Sequence, residues 1–291
     1  MKPARFDYYD PTTLAEALSL LAQFGDTAKP LAGGQSLVPM MNMRLARPAQ
    51  LIDLNRLGEL NYLKVEQGEL RIGAMTRQRT LERSKIVADG WPLLQEAMRY
   101  VGHVQIRNRG TVGGSLVHAY PSAELPVVMT ALEATLMLRS EKGERVVRAE
   151  EFFVDVMTTV LQPSELLVEV RVPQADPSAG ASFQEVSRRH GDFALMGVAA
   201  IITPDAQGNV GGARLVFTGA IPARSREAEA LLIGKPPHRD RFGEAARVGA
   251  MALDPESDVH ASAQYRKEVA VVLGRRALEQ AANRAFLKTG H

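Results

Sequence analysis

The chain has 291 residues, which suffices for two domains of roughly 150 residues each. Hydrophobic residues make up 45% and charged residues 23% of the sequence, so we expect a globular fold with a proper core and exclude disorder. The 35 basic and 33 acidic residues nearly cancel, which argues against a nucleic-acid partner.

Cysteine is absent, which excludes disulfides, thiol catalysis and any iron–sulfur cluster held by cysteines of these residues. The first residues lack the apolar run of a signal peptide, and no stretch of about 18 apolar residues could span a membrane, so we expect a cytoplasmic protein. The histidines lack the close spacing of a helical metal site, and we expect no metal on this chain; they are His103, His118, His190, His238, His260 and His291.

The first predicted element is a helix over Thr13–Phe24, which Thr13 and Glu16 can cap and Gly25 can end. A Gly-rich segment, Lys29–Leu37, follows it. The patterns downstream predict one more helix and several short strands, which together indicate a mixed α+β unit. These elements are a helix at Pro92–Val101 and strands at Leu51–Leu54, Tyr62–Glu66, Glu69–Ala74, Thr135–Arg139, Arg145–Arg148 and Glu165–Val172.

The segment Pro173–Ala181 is rich in turn formers and lacks large apolar residues, which is typical of a linker. We therefore predict one domain over 1–175 and a second over 182–291. In the second domain strands precede helices, which favours another α+β fold. The predicted strands are Phe183–Val186, Leu195–Thr203 and Val210–Thr218, and the predicted helices lie near Ser225–Ile233, Arg241–Leu253 and Ala263–Leu287.

Two glycine pairs, Gly33-Gly34 and Gly113-Gly114, are the clearest candidates for a binding site. Consecutive glycines let backbone N–H groups converge on a diphosphate, and the nearby hydroxyl residues Ser36, Thr111 and Ser115 can add hydrogen bonds. For either glycine pair alone, a tight turn or a close strand crossing is the alternative interpretation. The Rossmann fingerprint, the P-loop and the nucleophile elbow are all absent from the sequence.

Five ordered segments give the chain a resemblance to the FAD-binding medium subunit of the molybdenum hydroxylase family, which includes xanthine dehydrogenase and carbon monoxide dehydrogenase. The likeness spans nearly the whole sequence. The segments are Leu31–Leu37, Ile106–Leu116, Pro121–Pro126, Arg188–Ala194 and Ser257–Arg266.

The resemblance implies a fold class of α+β. The first domain is expected to be a two-subdomain FAD-binding domain of the vanillyl-alcohol oxidase (PCMH) type. The second is expected to resemble the carbon monoxide dehydrogenase flavoprotein C-terminal domain, a sheet covered by helices.

The resemblance also implies the residues that bind FAD, whereas it implies no catalytic residue on this chain. Backbone amides of two loops would hold the pyrophosphate, Glu124 would bind a ribose hydroxyl, Leu166 would pack near the adenine, and Arg188 or Arg189 would reach the flavin region. The full predicted set is Lys29, Pro30, Leu31, Ala32, Gly33, Gly34, Gln35, Ser36, Leu37, Thr111, Val112, Gly113, Gly114, Ser115, Glu124, Leu166 and Arg189.

Other matching residues are expected to have structural roles. We expect Asp258, His260, Tyr265 and Arg266 to hold the C-terminal helix against the sheet, and His190 and Asp192 to be turn residues. The two adjacent arginines, if on a strand, would face opposite sides. Tyr120 departs from the family, where Asp often stands, and can shield or stack near the flavin.

By the same resemblance, the chain would be the electron-transfer subunit of a complex. A large partner subunit would carry a molybdenum-pterin cofactor and a small one [2Fe–2S] clusters, as a dimer of heterotrimers. FAD on this chain would take electrons from the clusters and pass them to an external acceptor. Two alternatives stay open: a stand-alone FAD-dependent oxidoreductase, and a flavin-containing assembly module without turnover.

Overall fold

The computed structural model describes residues 2–289. Met1, with which the first predicted domain begins, and Gly290 and His291, with which the second ends, lie outside the described residues. The strands are β1 (Asp7–Tyr9), β2 (Ala28–Leu31), β3 (Gln50–Asp53), β4 (Leu63–Glu66), β5 (Glu69–Gly73), β6 (Thr135–Ser140), β7 (Gly143–Arg148), β8 (Phe153–Asp155), β9 (Thr158–Thr159), β10 (Leu166–Pro173), β11 (Gly180–Ser187), β12 (Ala194–Pro204), β13 (Val210–Phe217) and β14 (Ala223–Arg224). The helices are α1 (Leu14–Phe24), α2 (Leu37–Asn42), α3 (Gln78–Arg83), α4 (Lys85–Gly90), α5 (Pro92–Met98), α6 (Val104–Arg109), α7 (Val112–His118), α8 (Glu124–Ala131), α9 (Ala149–Phe152), α10 (Arg226–Ala230), α11 (Arg239–Met251) and α12 (Ala263–Thr289).

The chain divides into two compact units, and each is discontinuous in sequence. The first contains the described residues up to Arg83, together with His103–Ala119 and Ala134–Pro173. The second contains Ser84–Gly102, Tyr120–Glu133 and the chain from Gln174 onward. Helices α4, α5 and α8 therefore belong to the second unit, although they lie between elements of the first.

The first unit combines two sheets of different character. Strands β1, β3 and β2 form a parallel sheet in that order, and β4-β5-β10-β6-β7 form an antiparallel one. Helix α1 begins where expected, because the Thr13 hydroxyl accepts the Glu16 N–H at 3.2 Å and the Glu16 carboxylate accepts the Thr12 N–H. Its buried face joins a core cluster with strand residues such as Ile52.

The second unit is a four-stranded antiparallel sheet, β11-β12-β13-β14, with helices α11 and α12 packed on it. One face of α12 is lined by small residues, so its backbone approaches the sheet closely. A Cβ on Gly180 of β11 would lie 2.5 Å from the backbone nitrogen of Ala285. The predicted α+β class is confirmed by these elements.

The C-terminal helix is also held by charge. The Arg266 guanidinium donates to the Leu195 carbonyl at 2.7 Å and to the Asp258 carboxylate at 2.8 Å. Asp258 in turn accepts the backbone N–H groups of His260 and Ala261, which together with Arg266 hold its pKa at about 2. The structural role predicted for Asp258 and Arg266 agrees with these contacts.

Replacement of Gly180 by alanine should destabilise the second unit, because the added methyl meets the α12 backbone, which has no room to yield. We expect a loss of about 1–3 kcal/mol, the usual cost of overpacking a core. The control is Gly212→Ala on β13, where the new methyl would have its nearest neighbour 3.5 Å away at Thr203. Equal unfolding midpoints for the two variants in urea would contradict this account.

Candidate functional site

The first glycine segment runs from the end of a parallel strand into a helix. Lys29, Pro30 and Leu31 belong to β2, and the chain then turns through Ala32–Ser36 before α2 begins at Leu37. Gly34 has φ +73°, a left-handed conformation that suits glycine. Within residues 2–289, the backbone N–H groups of Gly33–Leu37 donate to no protein acceptor. The turn therefore presents a row of unsatisfied donors.

Three residues of this row, Gly33–Gln35, line an open depression of about 390 Å³. Its walls include Gly33, Gly34 and Gln35 from the turn, Val38 and Pro39 from α2, and polar residues of other segments. Unsatisfied backbone N–H groups beside a helix N-terminus favour an anion. A diphosphate fits this donor set.

The second glycine segment is the start of a helix rather than a loop. Thr111 caps α7, since its hydroxyl accepts the Gly114 N–H at 3.1 Å. The N–H groups of Val112 and Gly113 donate to the carbonyls of Thr76 and Ala74, at 3.0 and 2.8 Å. The amides of Val112–Ser115 are thus already used, so the segment can offer a phosphate mainly the O–H groups of Thr111 and Ser115 and the helix dipole.

The two segments lie against each other at their backbones. A Cβ on Gly33 would collide with the Arg109 carbonyl oxygen and come within 2.8 Å of the Gly110 Cα. A Cβ on Gly114 would lie 3.4 Å from the Ala32 side chain. The structure therefore brings together the predicted residues Lys29–Leu37 and Thr111–Ser115.

Three polar residues that the sequence analysis missed connect these segments. Asp53 and Asn55 line the depression at the end of β3, and the Asn55 amide donates to the Ala32 carbonyl at 2.9 Å. Arg77 donates to the Asn55 side-chain oxygen at 2.7 Å and also to the Arg109 carbonyl. The available signal was the Asp53-Leu-Asn55 sequence directly after a predicted strand, because polar residues at the carboxyl ends of parallel strands often line sites.

The electrostatics of this region follow from burial and hydrogen bonding. The Tyr8 hydroxyl donates to Asp53 at 2.6 Å, and this bond is the main reason that the pKa of Tyr8 rises to about 12. Burial, and then the nearby Arg109, lower the pKa of Arg77. Both residues keep their protons at neutral pH. Tyr8 therefore stays a hydrogen-bond donor to Asp53, and Arg77 stays a cation near Asp53.

Leu166 and Arg189, also predicted to contact the cofactor, have different surroundings. Leu166 is in the first unit, where its side chain is buried in the core cluster with Leu14 and Val168. Arg189 is in the second unit and is exposed. The expectation that the two arginines alternate on a strand is wrong, because β11 ends at Ser187 and both lie in the following turn. Arg188 pairs there with Asp192, at 3.6 Å.

Glu124 begins α8 in the second unit and is buried. A second carboxyl group, Glu185 of β11, has an oxygen that accepts no hydrogen bond from residues 2–289. Burial, and next the nearby Glu124, raise the pKa of Glu185 to about 9. Glu185 is therefore neutral at pH 7, which limits repulsion in this acidic pair.

Tyr120, the residue that departs from the family pattern, also lies in the second unit. Its ring stacks at a tilt on Phe193, with 4.4 Å between centroids. Phe193 is 68% exposed, so this aromatic pair presents an open face. Within residues 2–289 there is neither a cluster of three or more potential metal ligands nor a helix long and apolar enough to cross a membrane.

Comparisons with known proteins agree with this geometry. Residues 4–175 match the family model of the FAD binding domain in molybdopterin dehydrogenase, and residues 181–281 match the carbon monoxide dehydrogenase flavoprotein C-terminal domain. The chain is 44% identical to the 6-hydroxypseudooxynicotine dehydrogenase complex subunit alpha of Paenarthrobacter nicotinovorans, covering 98% of this chain and 97% of that one. It is 41% identical to the caffeine dehydrogenase subunit beta of a Pseudomonas species, with coverage of 98% and 97%.

Among solved structures, carbon monoxide dehydrogenase from Hydrogenophaga pseudoflava matches with a TM-score of 0.95 and 37% identity, covering 98% of this chain and 99% of that one. These matches confirm the predicted fold, an FAD-binding domain of the PCMH type followed by a flavoprotein C-terminal domain.

Replacement of Glu185 by glutamine should change how stability depends on pH. The folded-state pKa of about 9 lies above the ordinary value of 4.5, so the stability due to this group is complete below pH 4.5 and is lost as the pH rises toward 9. Relative to the unmodified chain, we expect Glu185→Gln to gain about 4 kcal/mol between pH 5 and pH 8.5, at about 1.36 kcal/mol per pH unit. Thermal unfolding at both pH values measures this gain. Exposed Glu227→Gln is the control, and a pH-independent difference for Glu185→Gln would sink the idea.

Proposed function

Because the chain belongs to the family of FAD-binding medium subunits of molybdenum hydroxylases, we propose that it is the electron-transfer subunit of a heterotrimeric complex. It is an oxidoreductase subunit with FAD as its cofactor. In the proposed role it takes electrons from [2Fe–2S] clusters of a small partner subunit and passes them to an external acceptor. A large partner subunit carries the molybdenum-pterin cofactor, and two heterotrimers associate as a dimer.

The observation that carries this proposal is the near full-length likeness to subunits of dehydrogenase complexes. The lack of cysteine in the 291 residues supports it, because clusters of this type need cysteine ligands from another chain. We also propose the division into an FAD-binding domain over 1–175 and a C-terminal domain over 182–291.

The first glycine segment would hold the pyrophosphate of FAD mainly through backbone N–H groups. The second would add its hydroxyls and the N-terminus of α7, and its glycines permit the close contact between the segments. The remaining predicted contacts stand as proposals: a ribose hydroxyl for Glu124, the adenine for Leu166 and the flavin region for Arg189. Bound FAD supplies redox chemistry in one- or two-electron steps, and the chain's residues position it.

The function is tested by producing the full chain alone and with its candidate partner subunits. We expect FAD to copurify in both cases, and iron–sulfur absorbance to occur only when a small partner is present. Chemical reduction of the clusters under anaerobic conditions should then bleach the flavin absorbance.

Three outcomes would overturn the proposal in different ways. A flavin-loaded chain that stays alone and oxidises an organic substrate is a stand-alone oxidoreductase. A complex that assembles without electron transfer to FAD makes the chain an assembly module. A chain that binds no FAD contradicts the proposed site.

Gly33→Ala should weaken FAD binding about tenfold or more, because the new methyl forces the first segment away from the Arg109 carbonyl and misaligns its N–H donors. Fluorescence titration of the apoprotein with FAD measures the dissociation constant. Gly58→Ala is the matched control, since a Cβ at that position has open space around it. Equal affinities in the two variants would argue against the proposed diphosphate cradle.

A further inference from the structure

A continuous set of hydrogen bonds runs beneath the two glycine segments. We call it the Arg77 network, and its residues are Tyr8, Asp53, Asn55, Arg77 and Arg109. The Tyr8 hydroxyl donates to one oxygen of Asp53, and both the backbone and the side chain of Asn55 donate to the other. These bonds fix the Asn55 side chain, which in turn donates to the Ala32 carbonyl.

Arg77 completes the path to the second segment. One guanidinium nitrogen donates to the Asn55 side chain at 2.7 Å and another to the Arg109 carbonyl. The backbone of Arg77 also forms a bridge with Thr111, the cap of α7. Arg77 is thereby bonded to the first glycine segment through Asn55, and directly to the second through its backbone bridge with Thr111.

The glycine segments need such a link because they meet at backbone atoms, with no side chain of Gly33 to hold them together. Gly33 rests on the Arg109 carbonyl, and glycine has no side chain that could lock this contact. The Arg109 carbonyl that Gly33 touches is the same group that Arg77 binds. By binding this oxygen, Arg77 holds in place the atom against which Gly33 packs.

Charge gives the link a second effect. Within residues 2–289 Arg77 forms no salt bridge, and its guanidinium is partly buried. The Asp53 carboxylate acts on this charge without forming an ion pair with it. A partly buried cation attracts a diphosphate more strongly than an exposed one, because water screens it less. The planar fork of arginine can reach two acceptors in fixed directions, whereas lysine supplies only a point charge.

We propose that Arg77 is a positioning residue that holds the two glycine segments at the spacing a diphosphate requires, with Asn55 as its link to the first segment. This inference rests on the proposed function, because the diphosphate is taken to be that of FAD. Arg77 acts through Asn55 and the Arg109 carbonyl.

Arg77→Gln in the full chain tests the proposal. We expect the dissociation constants of FAD and of ADP, which shares the diphosphate, to rise about tenfold or more, as two hydrogen bonds and a charge are lost. The melting temperature of the apoprotein should stay close to that of Arg56→Gln. Arg56 forms an exposed ion pair with Asp10, so that control removes the same charge without removing a hydrogen bond of the network.

Arg77→Lys separates position from charge. If Arg77 acts by bridging Asn55 and the Arg109 carbonyl, the dissociation constant of FAD for Arg77→Lys should lie within about threefold of that for Arg77→Gln. Lysine cannot reproduce the two directed hydrogen bonds of the guanidinium. Full recovery by lysine would reduce Arg77 to a simple charge and overturn the positioning role. An unchanged FAD affinity in Arg77→Gln would overturn it as well.

Asn55→Ala keeps the test decisive if Arg77→Gln does not fold. Alanine removes both the acceptor for Arg77 and the donor to Ala32 and adds no negative charge beside Asp53, so FAD affinity should fall while the apoprotein still melts cooperatively. Unchanged affinity in this variant contradicts the link. Absence of FAD binding in the unmodified chain would overturn the proposed function itself, whereas normal binding there with unchanged variants overturns only the role of Arg77.

Discussion

The candidate site depends on the direct contact of two backbones, Gly33 against the carbonyl of Arg109. This contact is possible only without a Cβ, and it sets how close the end of β2 comes to the start of α7. The parallel pairing of β2 with β3 places Leu31 beside Asp53, so the first glycine segment and the polar residues after β3 leave the sheet at the same edge. The contact and the edge together define the depression.

The two glycine pairs look alike in sequence but have different physical roles. At Gly33-Gly34 the backbone N–H groups have no acceptor within the described residues and are available to an anion. At Gly113-Gly114 the N–H groups are bonded to Ala74 and Thr111, and Gly113 lies against Ala74. The sequence predicted a binding site from both pairs, but it could not show which pair leaves its N–H groups free and which only allows close packing. That distinction depends on which segment the chain places opposite each glycine.

Local signals predicted most elements because the responsible interactions are themselves local. Helix α1 is specified by Thr13, Glu16 and Gly25 within its own termini. The turn at Gln67-Gly68, with both residues at positive φ, falls in the gap between the predicted strands Tyr62–Glu66 and Glu69–Ala74. The assignment of α4, α5 and α8 to the second unit was not visible, since it rests on contacts between residues far apart in sequence. Arg77 escaped notice for the same reason: its partners are 22 and 32 positions away.

The unsatisfied donors of the first segment imply that ligand binding and local order are coupled. Aligned N–H groups repel one another and gain from water or an anion, so the segment depends on its surroundings as well as on its own bonds, such as the one from the Gln35 side chain to the Gly33 carbonyl. Asn55 and the Arg109 carbonyl provide that support from the protein, and a bound diphosphate would add to it. A ligand that binds only the ordered form stabilises it in proportion to its free concentration over the dissociation constant. In the proposed site, the Arg77 network would therefore affect how much of the binding free energy goes into ordering the turn and how much appears as affinity for FAD.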